Sequence, residues 1–428
     1  PTRADRCCYA LYAKQNRVSG QTATKGMTVP RERSGGENTI TPEAIDYFLD
    51  LVTGSPAHGR QVSGVIFLHV DDLFMIGDEE FVRTVMARIR KDFQVGSEAQ
   101  NCVEFVGQRI RWLSTGSGRD IRHYICVDQN KAIEELTEIP LEKDMKDETP
   151  CSPSMHTSYR SVLGQLNGLQ SRTQFHLCYK FSRCASASAS PTIGDVRALN
   201  KLVRTARSSP VTLNFWPLQG PTRIVGFPDA AYRNNTDKTS QRAHVVFICA
   251  PRERSEKNTY GSLVDFESHK IKRTVLSTTV SELYAFMKCY GTCQFLRGLW
   301  MDISGTAAEI HMRTDANNLV TTASTTHLPE QKETIHMIQM LRKEACSGSI
   351  NDLAHIRTAL CLSDALTKSS AKPDELSAAV STGVLKEVDT HPNFRTLIKH
   401  RAFLLQWCDS HVPGTPQAIL GTPLHSMD

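Results

Sequence analysis

Four carboxylates in four different local settings constrain the fold of this chain more than any other feature. Asp229 ends the apolar run of IVGFPDAAY, and Glu282 opens a predicted helix in STTVSELYAF. Asp315 closes the short predicted strand EIHMRTDAN, and Asp364 opens a further predicted helix in LSDALTK. Their spacing is too wide for a local charge cluster, so only a tertiary fold can gather them. Each sits where a strand ends or a helix begins, and from such positions one side chain per element can point at a common spot. Hard oxygen ligands from several elements are what two divalent ions ~4 Å apart require. The four acids are therefore candidate metal ligands of a hydrolytic centre.

The residues around these acids resemble the ribonuclease H domain of copia-type (Pseudoviridae-like) retrotransposon polyproteins. The matching positions are Asp229-Ala230, Ser277-Thr278-Thr279 with Glu282, Asp315-Ala316-Asn317, and Ser363-Asp364-Ala365-Leu366-Thr367-Lys368. The last is the most specific, and it is the order of all four that carries the resemblance. Ser363 stands where the family has Ala, and Val280-Ser281 where it has Glu-Ala; neither departure removes an acid.

The resemblance implies an α/β unit over 221–370 with a mixed five-stranded sheet in β-β-β-α-β-α-β-α order. Its strands are expected at Thr222–Phe227, Ala243–Ala250, Ser262–Glu267, Glu309–Arg313 and Asn351–Ile356, and its main helix at Val280–Met301. It also implies hydrolysis of RNA in an RNA–DNA hybrid with Mg²⁺ or Mn²⁺. In that reading Asp229 bridges both ions, Glu282 and Asp315 complete one side, and Asp364 the other. The hybrid is selected by groove width and 2′-hydroxyl contacts. Some ribonucleases H use a mobile His near the last Asp; His355 is placed on the fifth strand instead.

A second acidic site lies near the start. In VIFLHVDDLFMI two apolar runs flank the adjacent pair Asp71 and Asp72. Two neighbouring carboxylates between strands repel each other and lose solvation, which a divalent cation bound at a tight turn relieves. The segment resembles the Tyr-x-Asp-Asp hairpin of reverse transcriptases, with His69 in the Tyr position. Phe105–Ile110 resembles the strand that follows the palm helix. Val127–Ile133 resembles the thumb entry, and Tyr159–Leu166 the Tyr-Arg-Ser-x-x-Gly-x-Leu segment. The resemblance implies a template/primer partner. Only residues 1–70 precede Asp71, and they hold no strand matching the one that supplies a polymerase's third carboxylate. The chain reads as an internal or C-terminal piece of a polyprotein, its polymerase part incomplete without upstream segments.

The expected organisation is a truncated reverse-transcriptase palm (1–121) with a long polar insertion at 13–63, a helical thumb and connection (122–220), the ribonuclease H-like unit, and an unassigned tail (371–428). The insertion is polar apart from AIDYFLDLV, and the tail has apolar runs at Phe394–Ile398 and Ala402–Trp407. Within the palm, a helix is expected at Glu79–Asp92. Apolar residues at 40% and charged residues at 22% mark a globular chain. A net charge of +5 leaves nucleic-acid binding to local patches. Arg197, Lys201, Arg204 and Arg207 recur at helical spacing and are the candidate backbone-binding face. The 13 cysteines, odd in number and without a secretory leader, point to thiols in an intracellular, reducing compartment (cytoplasm, virus-like particle or nucleus). No apolar run reaches the ~20 residues of a membrane span. Two alternatives stay open: a catalytically decayed nucleic-acid-binding remnant, and an integrase or transposase.

Overall fold

The computed structural model describes residues 8–12, 25–28, 62–117, 121–251, 258–324 and 331–386. Most of the 13–63 insertion, including AIDYFLDLV, and both apolar runs of the tail lie outside the described residues. The first sheet contains β1 (Cys8–Tyr12), β2 (Lys25–Thr28), β3 (Val62–His69), β4 (Asp72–Gly77) and β5 (Ala99–Gln100), in the order β1-β3-β4-β2-β5. β3 and β4 form a hairpin around the acidic pair, with His69 opposite Asp72. Helix α1 (Glu79–Asp92) follows. Asp78 caps it by accepting a 2.7 Å hydrogen bond from the Phe81 N–H. Its buried residues Phe81, Val82, Val85, Met86 and Ile89 make one helical face, which packs on Ile66, Leu73 and Met75. Gly64 and Gly77 pair across the hairpin, and a Cβ on either would lie 2.3 Å from the Phe81 ring.

A second sheet holds β6 (Cys102–Phe105), β7 (Gln108–Thr115), β8 (Arg122–Asp128) and β9 (Leu213–Phe215) in sequential order. Phe105–Ile110, expected as one strand, is instead a hairpin. Val106 (φ 51°) and Gly107 (φ 69°) both take the left-handed conformation, which suits a two-residue turn between twisted strands. Between β8 and β9 run four helices: α2 (Asn130–Glu134), α3 (Pro153–Gln170), α4 (Cys178–Ser186) and α5 (Ile193–Ser208). The region is thus mostly helical, as expected, but bounded by strands. Tyr159, from the Tyr-Arg-Ser segment, is fully buried in its core and donates a 2.8 Å hydrogen bond to the Cys184 carbonyl.

The third sheet has six strands: β10 (Arg223–Ala231), β11 (Gln241–Cys249), β12 (Asn258–Lys270), β13 (Glu309–Thr314), β14 (Asp352–His355) and β15 (Val384–Lys386). Their order is β14-β13-β10-β11-β12-β15. β10, β11 and β12 form an antiparallel meander. After helix α6 (Thr278–Ser304), β13 returns parallel to β10. After α7 (Asn317–Ala323) and α8 (Ile335–Cys346), β14 returns parallel to β13. This is a ribonuclease H-like unit. The sixth strand was not expected: α9 (Asp374–Thr382) ends at Gly383 in the left-handed conformation, and the chain turns back to pair β15 with β12.

Each face of this sheet has its own core. Val225, Phe227, Val245 and Phe247 belong to one, Ile224 and Val246 to the other, as period-two alternation requires. Gly226 admits α6 closely: a Cβ there would lie 2.7 Å from Cys289 Sγ and 2.9 Å from Cys293 Sγ. The cysteines whose side chains are described are free thiols, Cys289 and Cys293 fully buried among them. Among the described residues no helix is long and apolar enough to cross a membrane.

Candidate metal centre

Strand β10 lies between β13 and β11, so its end is where several elements can meet. The parallel register from Arg223↔Glu309 to Gly226↔Met312, carried past its last pair, sets Asp229 level with Asp315. Ser277 caps α6 by accepting from the Val280 N–H at 3.3 Å. Glu282 then falls in the helix's second turn, where the Ala230 backbone and Asp229 act on its carboxyl. Close seating of α6 on Gly226 makes that approach possible. Asp364 begins a single 3₁₀ turn, Asp364–Leu366, in place of the helix expected there. The turn is fixed by full burial of Leu366 and by Thr367, whose hydroxyl donates to Asp229 Oδ2.

Of the four acids, Asp229 and Asp315 bring carboxylate oxygens within 4.8 Å of each other, while Glu282 and Asp364 lie outside that close group and act on it through their charge. Burial is the chief cause raising Asp229, to about 6, with the Asp315 and Asp364 charges adding and the Thr367 hydrogen bond opposing. Glu282 rises to about 9, again mainly by burial, then through Asp229 and Asp315. Asp229 is only 2% exposed and Glu282 9%, whereas Asp315 is half-buried and opens the cluster to solvent. A carboxylate oxygen of Asp229, one of Asp315 and Cys361 Sγ lie within 4.8 Å of one another. Lys368 forms an ion pair with Asp364. Buried Asp229 facing half-buried Asp315, with the buried carboxyl of Glu282 adding its charge, is a fit setting for a divalent ion. Asp229 and Asp315 are the hard donors close enough together to hold it.

His355 ends β14, and its Nε2 lies 3.1 Å from the Asp315 carbonyl oxygen, beside the centre. Sequence reasoning missed Cys361 and gave no role to Thr367 or Lys368. The last two lie inside the motif that identified Asp364, so their proximity was available there. Cys361 carries no pattern that separates it from the other buried thiols.

Asp71 and Asp72 belong to the β3–β4 hairpin of the first sheet. Asp71 is exposed at the hairpin tip and Asp72 half-buried. Between His69 and Asp71, Val70 takes φ 54°, an outlier for a β-branched residue and a point of backbone strain. His69 packs edge-on against Phe105, with ring centroids 6.3 Å apart. Among the described residues no third His, Cys, Asp or Glu completes a three-donor group with the pair.

The helix carrying Arg197, Lys201, Arg204 and Arg207 forms as expected, but its basic face is not a free stripe. Arg197 pairs with Asp147 and donates to the Met145 carbonyl at 2.6 Å. Arg204 pairs with Glu138, and Arg207 donates to the Leu136 carbonyl. The three guanidinium groups thus clamp the segment 134–147 onto α5, and Lys201 is exposed beside them. Spacing could not reveal that the partners lie so far back along the chain.

No family model matches the chain, and no curated protein matches it. Among solved structures it is similar to the foamy viral protease–reverse transcriptase in complex with an RNA/DNA hybrid, at 13% identity and a TM-score of 0.43. That match covers 82% of this chain and 46% of the other, so the chain spans less than half the viral protein's length. A second likeness is to LC11-RNase H1, isolated from compost by a metagenomic approach, at 13% identity and TM-score 0.21, over 38% of this chain and 92% of that one. A third is to the foamy viral enzyme with dsDNA, at 12% identity and TM-score 0.16, covering 74% and 66%.

Proposed function

We propose that this chain is a copia-type reverse transcriptase–ribonuclease H segment whose third sheet carries a metal-dependent nuclease cutting the RNA strand of RNA–DNA hybrids. The observation that supports the reading is the approach of Asp229, on β10, to Asp315, at the end of β13, within 4.8 Å; in this reading Glu282 from α6 and Asp364 from the 3₁₀ turn complete the ligand set. Bound Mg²⁺ or Mn²⁺ would supply the Lewis acidity that activates water and stabilises a departing 3′-oxygen. The chain's residues hold and orient. Thr367 fixes one oxygen of Asp229, leaving the other for a ligand. Lys368 balances Asp364 and travels with it on one turn, so it can yield when a cation or phosphate arrives. Half-buried Asp315 marks the side from which a substrate phosphate approaches.

The test is cleavage of a labelled hybrid by the purified chain, with and without Mg²⁺ or Mn²⁺, beside single-stranded RNA and duplex DNA. Metal-dependent loss of the hybrid's RNA strand alone is expected. Tight hybrid binding with no cleavage under any divalent ion would reject the nuclease and leave the decayed, binding-only remnant.

A further inference from the structure

The donor atoms at the end of β10 are not all hard. Cys361 Sγ stands within 4.8 Å of a carboxylate oxygen on Asp229 and of one on Asp315, and those oxygens are equally close to each other. Cys361 and Asp229 are 4% and 2% exposed, so two of the three donors are fixed by the core, and half-buried Asp315 leaves a way in. The thiol has only weak partners, the Pro228 carbonyl at 3.6 Å and the Ser363 hydroxyl at 3.5 Å. The hydrogen bond Asp229 accepts from Thr367 comes from a neutral hydroxyl.

Magnesium and a thiol are poorly matched, because hard cations select oxygen. Zinc and cadmium take sulfur and carboxylate oxygen together, with Zn–S ~2.3 Å and Zn–O ~2.0–2.2 Å in tetrahedral sites that often keep one position for water. Donors this close need only small side-chain shifts to meet such an ion. We propose that Asp229, Asp315 and Cys361 form a thiophilic-metal site, where Zn²⁺ or Cd²⁺ binds and takes two acids away from the hard ion. The inhibitory consequence rests on the nuclease reading; the binding does not. On binding, the metal–sulfur bond forms, the S–H bond breaks, and the proton passes to the solvent buffer with no change of oxidation state.

The experiment is a Cd²⁺ titration of the full chain under a phosphine reductant, reading the ultraviolet thiolate-to-cadmium charge-transfer band. The wild-type chain should show a component that Cys361→Ser and Asp315→Asn each lose and that Cys102→Ser, at an exposed thiol, keeps. Excess Mn²⁺ should suppress the same component. Loss of Cys361 should weaken this binding by more than the ~10–100-fold that removing an outer-shell partner costs. A Cys361→Ser curve that coincides with wild type overturns the site. Should Cys361→Ser not fold, cadmium NMR of the wild-type chain decides: an Mn²⁺-displaceable resonance of mixed sulfur and oxygen ligation upholds the site, and its absence overturns it. A Cys361-dependent band in a chain that never cuts a hybrid upholds this site and rejects the nuclease. Cleavage without such a band does the reverse.

Discussion

The two acidic sites of this chain are built in opposite ways. Asp71 and Asp72 are neighbours in sequence, presented by one strained hairpin and largely open to water. Asp229, Glu282, Asp315 and Asp364 are dispersed in sequence, and the fold brings Asp229 and Asp315 from two strand ends within 4.8 Å of each other. The gathered site is buried enough to push Asp229 to about 6 and Glu282 to about 9, mainly by loss of solvent. The hairpin pair acquires no third donor among the described residues. The contrast teaches that adjacency in sequence is a poor guide to a metal centre. Convergence from several elements concentrates charge where solvent cannot relieve it, so a cation has most to offer there.

The largest expected effect separates the sites by activity. Asp315→Asn should lower metal-dependent hybrid cleavage by about 10²–10³-fold or more, the scale of losing one preorganised electrostatic group. The double change Asp71→Asn with Asp72→Asn should leave cleavage of saturating hybrid near wild type. Equal losses in both variants would break the comparison.

Next comes packing, which each site needs in its own sheet. Gly226→Val would force a side chain against Cys289 and Cys293, and Gly64→Val against the Phe81 ring. Each should cost about 1–3 kcal/mol by overpacking, read from denaturant midpoints. Gly226→Val should also lower cleavage by lifting α6 and Glu282, whereas Gly64→Val should leave the rate per folded molecule unchanged.

A smaller effect is expected in the pH dependence of stability. Asp229 and Glu282 have folded values raised above 3.8 and 4.5, chiefly by burial. The folded chain therefore holds more protons than the unfolded one from about pH 4 to about pH 9, and without metal these groups lower stability as pH rises through that window. A bound divalent ion reverses the penalty by favouring the ionised acids. The Mn²⁺-induced rise in Tm should be greater at pH 8 than at pH 5. An equal rise at both, or a greater one at pH 5, would show that these buried acids do not hold the ion.

The smallest effect concerns α5. Arg197→Ala, Lys201→Ala and Arg204→Ala together should flatten the salt dependence of hybrid binding by about one unit, not three. Two of the three charges are already paired within the chain, and each phosphate contact accounts for roughly one unit of slope. Exposed pairs of this kind add only about 0.2–1 kcal/mol to stability, so folding should barely change.

Much of the gathered site was legible because each acid sits in a local pattern with a physical meaning. An apolar run ending in Asp229 reads as a buried strand, and Glu282 sits near the start of a segment that reads as a helix. The motif at Ser363–Lys368 marked Asp364 even though the segment forms a 3₁₀ turn, since chemistry at its two ends rather than helix propensity shapes it. What stayed hidden depends on contacts between distant segments. Cys361 is one buried thiol among many until the fold lays it beside Asp229. The arginines of α5 read as a free face until Asp147 and Glu138 meet them. β15 is three residues long, too short for periodicity to register, and Val106-Gly107 reverses the chain through backbone conformation that an apolar pattern does not encode.

The most direct test is Mn²⁺ binding, measured by the loss of the free ion's electron paramagnetic resonance signal on titration with the purified chain. Saturable binding is expected, abolished by Asp229→Asn and left in place by Asp71→Asn with Asp72→Asn. Binding that survives Asp229→Asn, or that disappears with the hairpin pair, would contradict that expectation.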